Sequence, residues 1–262
     1  MRGSEAFARL CFESVCAPRR LRHVPLQSNG EHDFDIVDEG GRKVGVLEVT
    51  IAANHAYLSM MSEVFSAKNG RGTVESNLCS ASWCVTVAQD ARIKRIRQQL
   101  DRYLADVERA GLTTFDRGMV HPAVRAVCRD LAIHRGYVVT DCGPGHHFVT
   151  PPAMTGWTDS DAITAVVRAE ATKPDNARKL SNPAAGERHL FVYIDISSIG
   201  AHFALESGQC PAPVFVDTGL THVWAGAPQQ GHVAAVWHAE NGGSWTRHVI
   251  SMKDAPEAWG VT

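Results

Sequence analysis

The spacing of apolar positions along the chain alternates between helical and strand periods. Phe7, Leu10, Cys11 and Val15 share one face of a helix expected over residues 4–17, with Ser4 as N-cap and Pro18 as its end. A basic run, Arg19-Arg20-Leu21-Arg22-His23, and a polar loop over 27–31 follow. Phe34–Val37 and Val44–Ile51 predict a hairpin around Asp38-Glu39-Gly40-Gly41, whose glycines suit a positive φ. The second strand is almost wholly apolar, as a buried central strand is. Residues 53–66 predict a helix, 67–80 a Gly/Ser/Asn-rich loop, and Trp83–Val87 a third buried strand. The strongest helical stripe is Ile93, Ile96, Leu100, Tyr103, Leu104 and Val107, which places a helix over 91–110 closed by Gly111. Pro122 starts a helix over 121–135, and Tyr137–Thr140 and His147–Thr150 predict short strands. Helices over 159–171, 174–180 and 197–205 then alternate with strands at His189–Ile196, Val223-Trp224, Val233–His238 and Trp245–Ile250. The fold class is α/β, a mixed central sheet flanked by helices. A boundary at Pro151-Pro152 separates residues 1–150 from an α+β C-terminal half over 151–262, and one mixed sheet is expected to continue across it.

The chain is 262 residues long, 44% hydrophobic and 21% charged, with a formal net charge of -2. No global basic field draws in nucleic acid, so contact with it requires a local patch. Seven cysteines at irregular spacing include no CxxC pair, which excludes the common zinc and thioredoxin-type motifs. They read as reduced thiols. With no signal-peptide pattern and no apolar run of membrane-spanning length, a cytoplasmic protein is the expectation. No GxxxxGK[ST], GxGxxG or GxSxG occurs, so P-loop, Rossmann and α/β-hydrolase chemistry is unsupported.

The hairpin carries the candidate chemistry. Asp33 immediately precedes its first strand and Glu48 lies within the second, so folding at the turn brings two carboxylates to one end of the sheet. Such an oxygen-rich pocket suits Mg²⁺ or Mn²⁺, which activates water and polarises a phosphodiester. Asp35 competes with Asp33, because side chains two apart on a strand share a face. Glu48, a charge in an apolar strand, needs a partner, such as Arg125 or Arg188 if not a metal.

This order of helix, His32-Asp33, hairpin, Glu48-Val49-Thr50, strand WCVTV and long helix resembles the PD-(D/E)xK nuclease superfamily over roughly residues 4–110. The resemblance implies a restriction-endonuclease-like core and divalent-metal-dependent cleavage of DNA or RNA. It implies a metal held by Asp33 and Glu48, completed by Glu5 or Glu13 from the first helix. His32 replaces the family's proline and Thr50 its lysine. Thr50 would then orient water, with Lys68, Arg71 or Lys43 replacing the ammonium. A catalytically inactive module binding nucleic acid or a protein is the alternative, and a homodimer is a further expectation from the family. More loosely, LEVTIAANHAYLSM, WCVTV…ARIKRI and ARKL…GERHLFVYID resemble a group of uncharacterised actinobacterial proteins that also lack the lysine.

Arg19, Arg20, Arg22 and Arg71 are the nucleic-acid candidates, the first three forming a locally unopposed cluster. The basic residues of the 91–110 helix are offset by Asp101, Asp106 and Glu108 and read as a solvated face. Cys142, His146 and His147, with Cys128 or His134, define a weaker zinc or nucleophile alternative. Glu187-Arg188-His189 opens a strand, and the tryptophans at 224, 237, 245 and 259 read as core.

Overall fold

A computed structural model describes residues 2–25, 31–66, 72–140, 145–151, 161–181 and 186–253. The fold is α/β, with two mixed sheets and seven helices among the described residues. The chain divides into two compact units, Met1–Ala53 with Gly156–Thr262, and Asn54–Thr155. The single continuous sheet expected from the sequence is therefore two sheets, one in each unit.

The first unit holds a seven-stranded sheet. Its strands are β1 (Arg20–His23), β2 (Phe34–Val37), β3 (Lys43–Ala52), β9 (Glu187–Ile194), β10 (His222–Gln229), β11 (Val233–Glu240) and β12 (Thr246–Ser251), in that spatial order. The pairs β3–β9 and β9–β10 are parallel and the others antiparallel. Strands of the N-terminal hairpin and of the C-terminal third thus share one sheet. At Gly45 strands β3 and β9 approach so closely that a Cβ would lie 2.6 Å from the Glu187 carbonyl oxygen, which reserves that position for glycine.

Strand periodicity sorts β3 onto two cores. Leu47 and Val49 pack with Phe7, Phe12, Phe191 and Trp224 under helix α1 (Gly3–Val15). Val46 and Ala52 pack on the opposite face with α5 (Asp161–Ala171), α6 (Pro174–Leu180) and α7 (Ile199–Ser207). Both faces of the sheet are covered, which explains the nearly continuous apolar run in β3. Glu48 and Thr50 fall on the α5–α6–α7 face because side chains alternate.

The second unit holds a five-stranded sheet in the order β4 (Thr73–Glu75), β8 (His146–Thr150), β5 (Ser82–Val87), β7 (Ile133–Val139), β6 (Thr114–Asp116). It also contains α2 (His55–Phe65), α3 (Ile93–Arg109) and α4 (Pro122–Leu131). The helix expected over 121–135 stops at Leu131. Ala132 adopts a left-handed conformation (φ 52°) that ends the helix and launches β7. The acids of α3 have structural work. Asp101 accepts bonds from Ser76 Oγ and from the backbone of Asn77 and Leu78. Glu108 accepts from Ser80, Ala81 and Trp83 Nε1. Together they pin the loop between β4 and β5. No described helix is long and apolar enough to cross a membrane.

Candidate active site

The hairpin register positions the two carboxylates. Phe34 pairs with Leu47 and Asp35 with Val46 in the antiparallel β2–β3 ladder. Continuing by one pair sets Asp33 opposite Glu48, and opposed residues point to the same face. Asp33 Oδ2 accepts the Val49 backbone N–H at 2.8 Å, which locks that carboxylate against β3. Glu48 is 2% exposed, and its neighbour across the face is a lysine from α6. Lys179 Nζ lies 2.7 Å from Glu48 Oε1 and 3.3 Å from Asp175 Oδ2, one turn earlier on the same helix.

Lys179 is the residue that sequence reading missed, 131 positions from Glu48. It supplies the partner that a charge in an apolar strand requires, a role for which Arg125 and Arg188 were candidates. The segment Glu48-Val49-Thr50 itself has threonine where the resemblance expects lysine. Thr50, in that motif position, donates its hydroxyl to Glu170 Oε2 of α5 at 2.8 Å. Glu170 also receives Lys173 Nζ at 2.6 Å. Thr50 is thus a strut between β3 and α5, not a group hydrogen-bonded to Glu48.

The electrostatics follow from burial. Desolvation raises the Asp33 carboxyl, opposed by the Val49 N–H, and nearby Glu5 raises it further. Desolvation and then the Asp33 charge push Glu48 up to about 7, against the pull of Lys179. Burial lowers Lys179, but its bonds to Glu48 and Asp175 reverse that and leave it above its ordinary value. Glu48 Oε2 is buried without a hydrogen-bond partner. An orphaned carboxylate oxygen beside a second carboxylate is a cost that a cation removes. The donor set, all oxygen with one oxygen of each carboxylate uncommitted, fits Mg²⁺ or Mn²⁺.

The other sequence candidates are distributed around this pair. Glu5 is 5% exposed and lies close enough to act on Asp33, but its carboxylate caps α1, accepting Arg2 N–H at 2.8 Å and pairing with the Arg2 guanidinium. Asp35 is bound by Arg22, His32 and Lys43. Burial acts to raise its carboxyl, but those three partners hold it well below the usual carboxylate range. This occupies Lys43 and leaves Asp33 as the carboxylate facing Glu48. Glu13 accepts from Arg9 and from the Leu21 N–H and so ties α1 to β1. Arg19 pairs with Glu187 at 2.6 Å and Arg22 with Asp35 at 2.8 Å, so these two members of the basic run are opposed, while Arg20 is exposed at the end of β1. Lys68, Arg71 and Cys142 lie outside the described residues.

Two groups of three ligand-type side chains have their ligand atoms within 4.8 Å of one another among the described residues, Cys79, Asp101 and His147, and Glu187, His189 and His222; the set Asp33, Glu48 and Glu5 expected from the sequence is not one of them. In the first, Asp101 is already saturated by the loop it holds, and burial pushes the Cys79 thiol up to about 12. In the second, Trp224 Nε1 donates to His189 Nδ1 at 3.1 Å. An indole N–H only donates, so the His189 proton is on Nε2, directed at Glu187 Oε2 3.2 Å away. A metal there has to displace that proton. No family model matches the chain, and neither the curated proteins nor the solved structures contain a match to it.

Proposed function

We propose that the first unit is a divalent-metal-dependent phosphodiesterase acting on DNA or RNA, with Asp33 and Glu48 holding the metal and Lys179 supplying the catalytic cation. The observation that carries this reading is Lys179 Nζ at 2.7 Å from Glu48, on the face where Glu48 meets Asp33. Three groups that the chemistry needs together, two carboxylates and an ammonium, come from the residue before β2, from β3 and from α6. On this reading Lys179, from a helix, takes the part that the lysine plays in a PD-(D/E)xK motif.

A divalent ion on Asp33 and Glu48 would supply Lewis-acid polarisation of the phosphate and a lowered pKa for water. The chain's own groups do the rest. The Val49 N–H holds Asp33 in one rotamer. Lys179 favours the ionised form of Glu48 against desolvation and would place positive charge where negative charge grows on the phosphoryl oxygens. The Thr50–Glu170–Lys173 network fixes α5 against β3, and Asn176 Nδ2 bonds the Glu170 carbonyl at 2.9 Å, which sets the start of the helix that carries Lys179.

The test is cleavage of labelled single- and double-stranded DNA and RNA, with Mg²⁺ or Mn²⁺, by wild type and Lys179→Ala. Loss of cleavage with metal binding retained supports the assignment. Equal cleavage by both proteins removes Lys179 from the mechanism. Absence of cleavage by the wild type on every substrate leaves the recognition-module alternative.

A further inference from the structure

The second unit is electrostatically unlike the first. Residues 54–155 carry 12 Lys and Arg against 9 Asp and Glu, a net +3, whereas the remainder carries 14 against 19, a net -5. Four of its nine acids are engaged elsewhere: Asp101 and Glu108 in pinning a loop, Asp130 with Arg129 and Tyr103, and Asp106 with Arg109. Three of its arginines, Arg117, Arg125 and Arg129, line one concavity of about 520 Å³ together with His134, Asp90 and Cys128.

The convergence is built by the fold. Arg125 and Arg129 stand one turn apart on α4 and so share a face, a like-charge spacing that disfavours an isolated helix. The Arg117 N–H bonds the His134 carbonyl at 2.8 Å, which anchors the segment after β6 beside the start of β7. Arg129 is matched by Asp130 at 2.7 Å. Arg117 and Arg125 make no ion pair among the described residues, and the Asp90 carboxylate is the one negative group in the lining. Two guanidinium forks without an ion-pair partner line one cavity, and each can engage two oxygens of a tetrahedral phosphate.

We infer that this pocket of the second unit binds a phosphate group, with Arg117 and Arg125 as its principal ligands. The inference is independent of the metal site, since it concerns the other unit and requires no divalent ion. Three phosphate sources share this chemistry: the backbone of a nucleic-acid strand, a strand's terminal phosphate, and a free nucleotide.

The experiment is fluorescence anisotropy of the full chain in EDTA with a 3′-labelled single-stranded oligonucleotide, bearing either a 5′-phosphate or a 5′-hydroxyl, with AMP and inorganic phosphate as competitors. Arg117→Ala/Arg125→Ala is expected to weaken binding by about tenfold or more and to reduce the salt slope by about 1 per arginine. Arg42→Ala, an exposed arginine of the first unit, serves as the control with an unchanged affinity. Equal binding of the two oligonucleotides, lost in the double variant, assigns the backbone. A preference for the 5′-phosphate assigns the terminus, and stronger competition by AMP than by inorganic phosphate assigns a free nucleotide. Unchanged affinity and salt slope in the double variant for both oligonucleotides, without competition by either small anion, overturns the inference. Because EDTA silences metal-dependent cleavage, failure here leaves the phosphodiesterase reading standing, and failure of that reading leaves this one standing.

Discussion

Replacing Glu48 with glutamine tests the electrostatics of the site without any assumed substrate. Glu48 titrates at about 7 in the fold against an ordinary value of 4.5. At about 1.4 kcal/mol per unit, that difference amounts to about 3 kcal/mol. The sign follows from proton binding. Between pH 4.5 and 7 the folded state holds a proton at Glu48 that the unfolded state has released. Rising pH therefore destabilises the wild type across that window, and the full penalty applies above it. Glu48→Gln lacks the penalty. It leaves Lys179 with Asp175, and the lost attraction between Lys179 and ionised Glu48 is already contained in the value of about 7. Urea unfolding in EDTA at pH 5 and pH 8.5 is the assay. The stability of Glu48→Gln relative to wild type is expected to improve by about 3 kcal/mol between those two pH values, whatever its offset at pH 5. Adding Mg²⁺ or Mn²⁺ at pH 8.5 should stabilise wild type and leave the variant unmoved. A difference that does not change with pH would refute the reasoning, because Glu48 would then titrate like an exposed carboxylate.

Other perturbations separate chemistry from scaffold. Lys179→Met should reduce cleavage by about a hundredfold or more while the chain still binds Mn²⁺, measured by single-turnover kinetics and calorimetry. Thr50→Val removes one of the two donors on Glu170 Oε2, leaving Lys173, and should cost about 1 kcal/mol in unfolding experiments, with metal affinity retained. Ala132→Gly relieves the left-handed conformation at the end of α4 and should raise stability by about 1 kcal/mol. Metal affinity in wild type should rise with pH through about 7, as Glu48 releases its proton, and level off above it.

The hairpin and its carboxylates were legible because they are local. The Gly40-Gly41 turn joins β2 and β3, so the register that opposes Asp33 to Glu48 is built from near neighbours in the chain. The sequence favours Asp33 over Asp35 only for its place before the first strand, since both point to the same face. They part company only through Arg22, His32 and Lys43, which gather on Asp35. Lys179 was illegible for the opposite reason. Its contact with Glu48 depends on α6 docking against β3 after a whole second unit has intervened. The short strands β1, β4 and β6 carry too few apolar residues to show a period. Each has a single buried position, Leu21, Val74 or Phe115, and they form the edges of their sheets. The overlong helix at 121–135 reflects an end set by an alanine in a conformation usually taken by glycine.

The central claim is that Asp33, Glu48 and Lys179 form one metal-dependent catalytic centre. Calorimetric titration of Mn²⁺ into wild type and Asp33→Ala/Glu48→Ala, with nucleic-acid cleavage followed on the same samples, tests it most directly. The account predicts Mn²⁺ binding and cleavage in wild type, both abolished in the double variant. Mn²⁺ binding that survives loss of both carboxylates, or cleavage that persists without them, would contradict it.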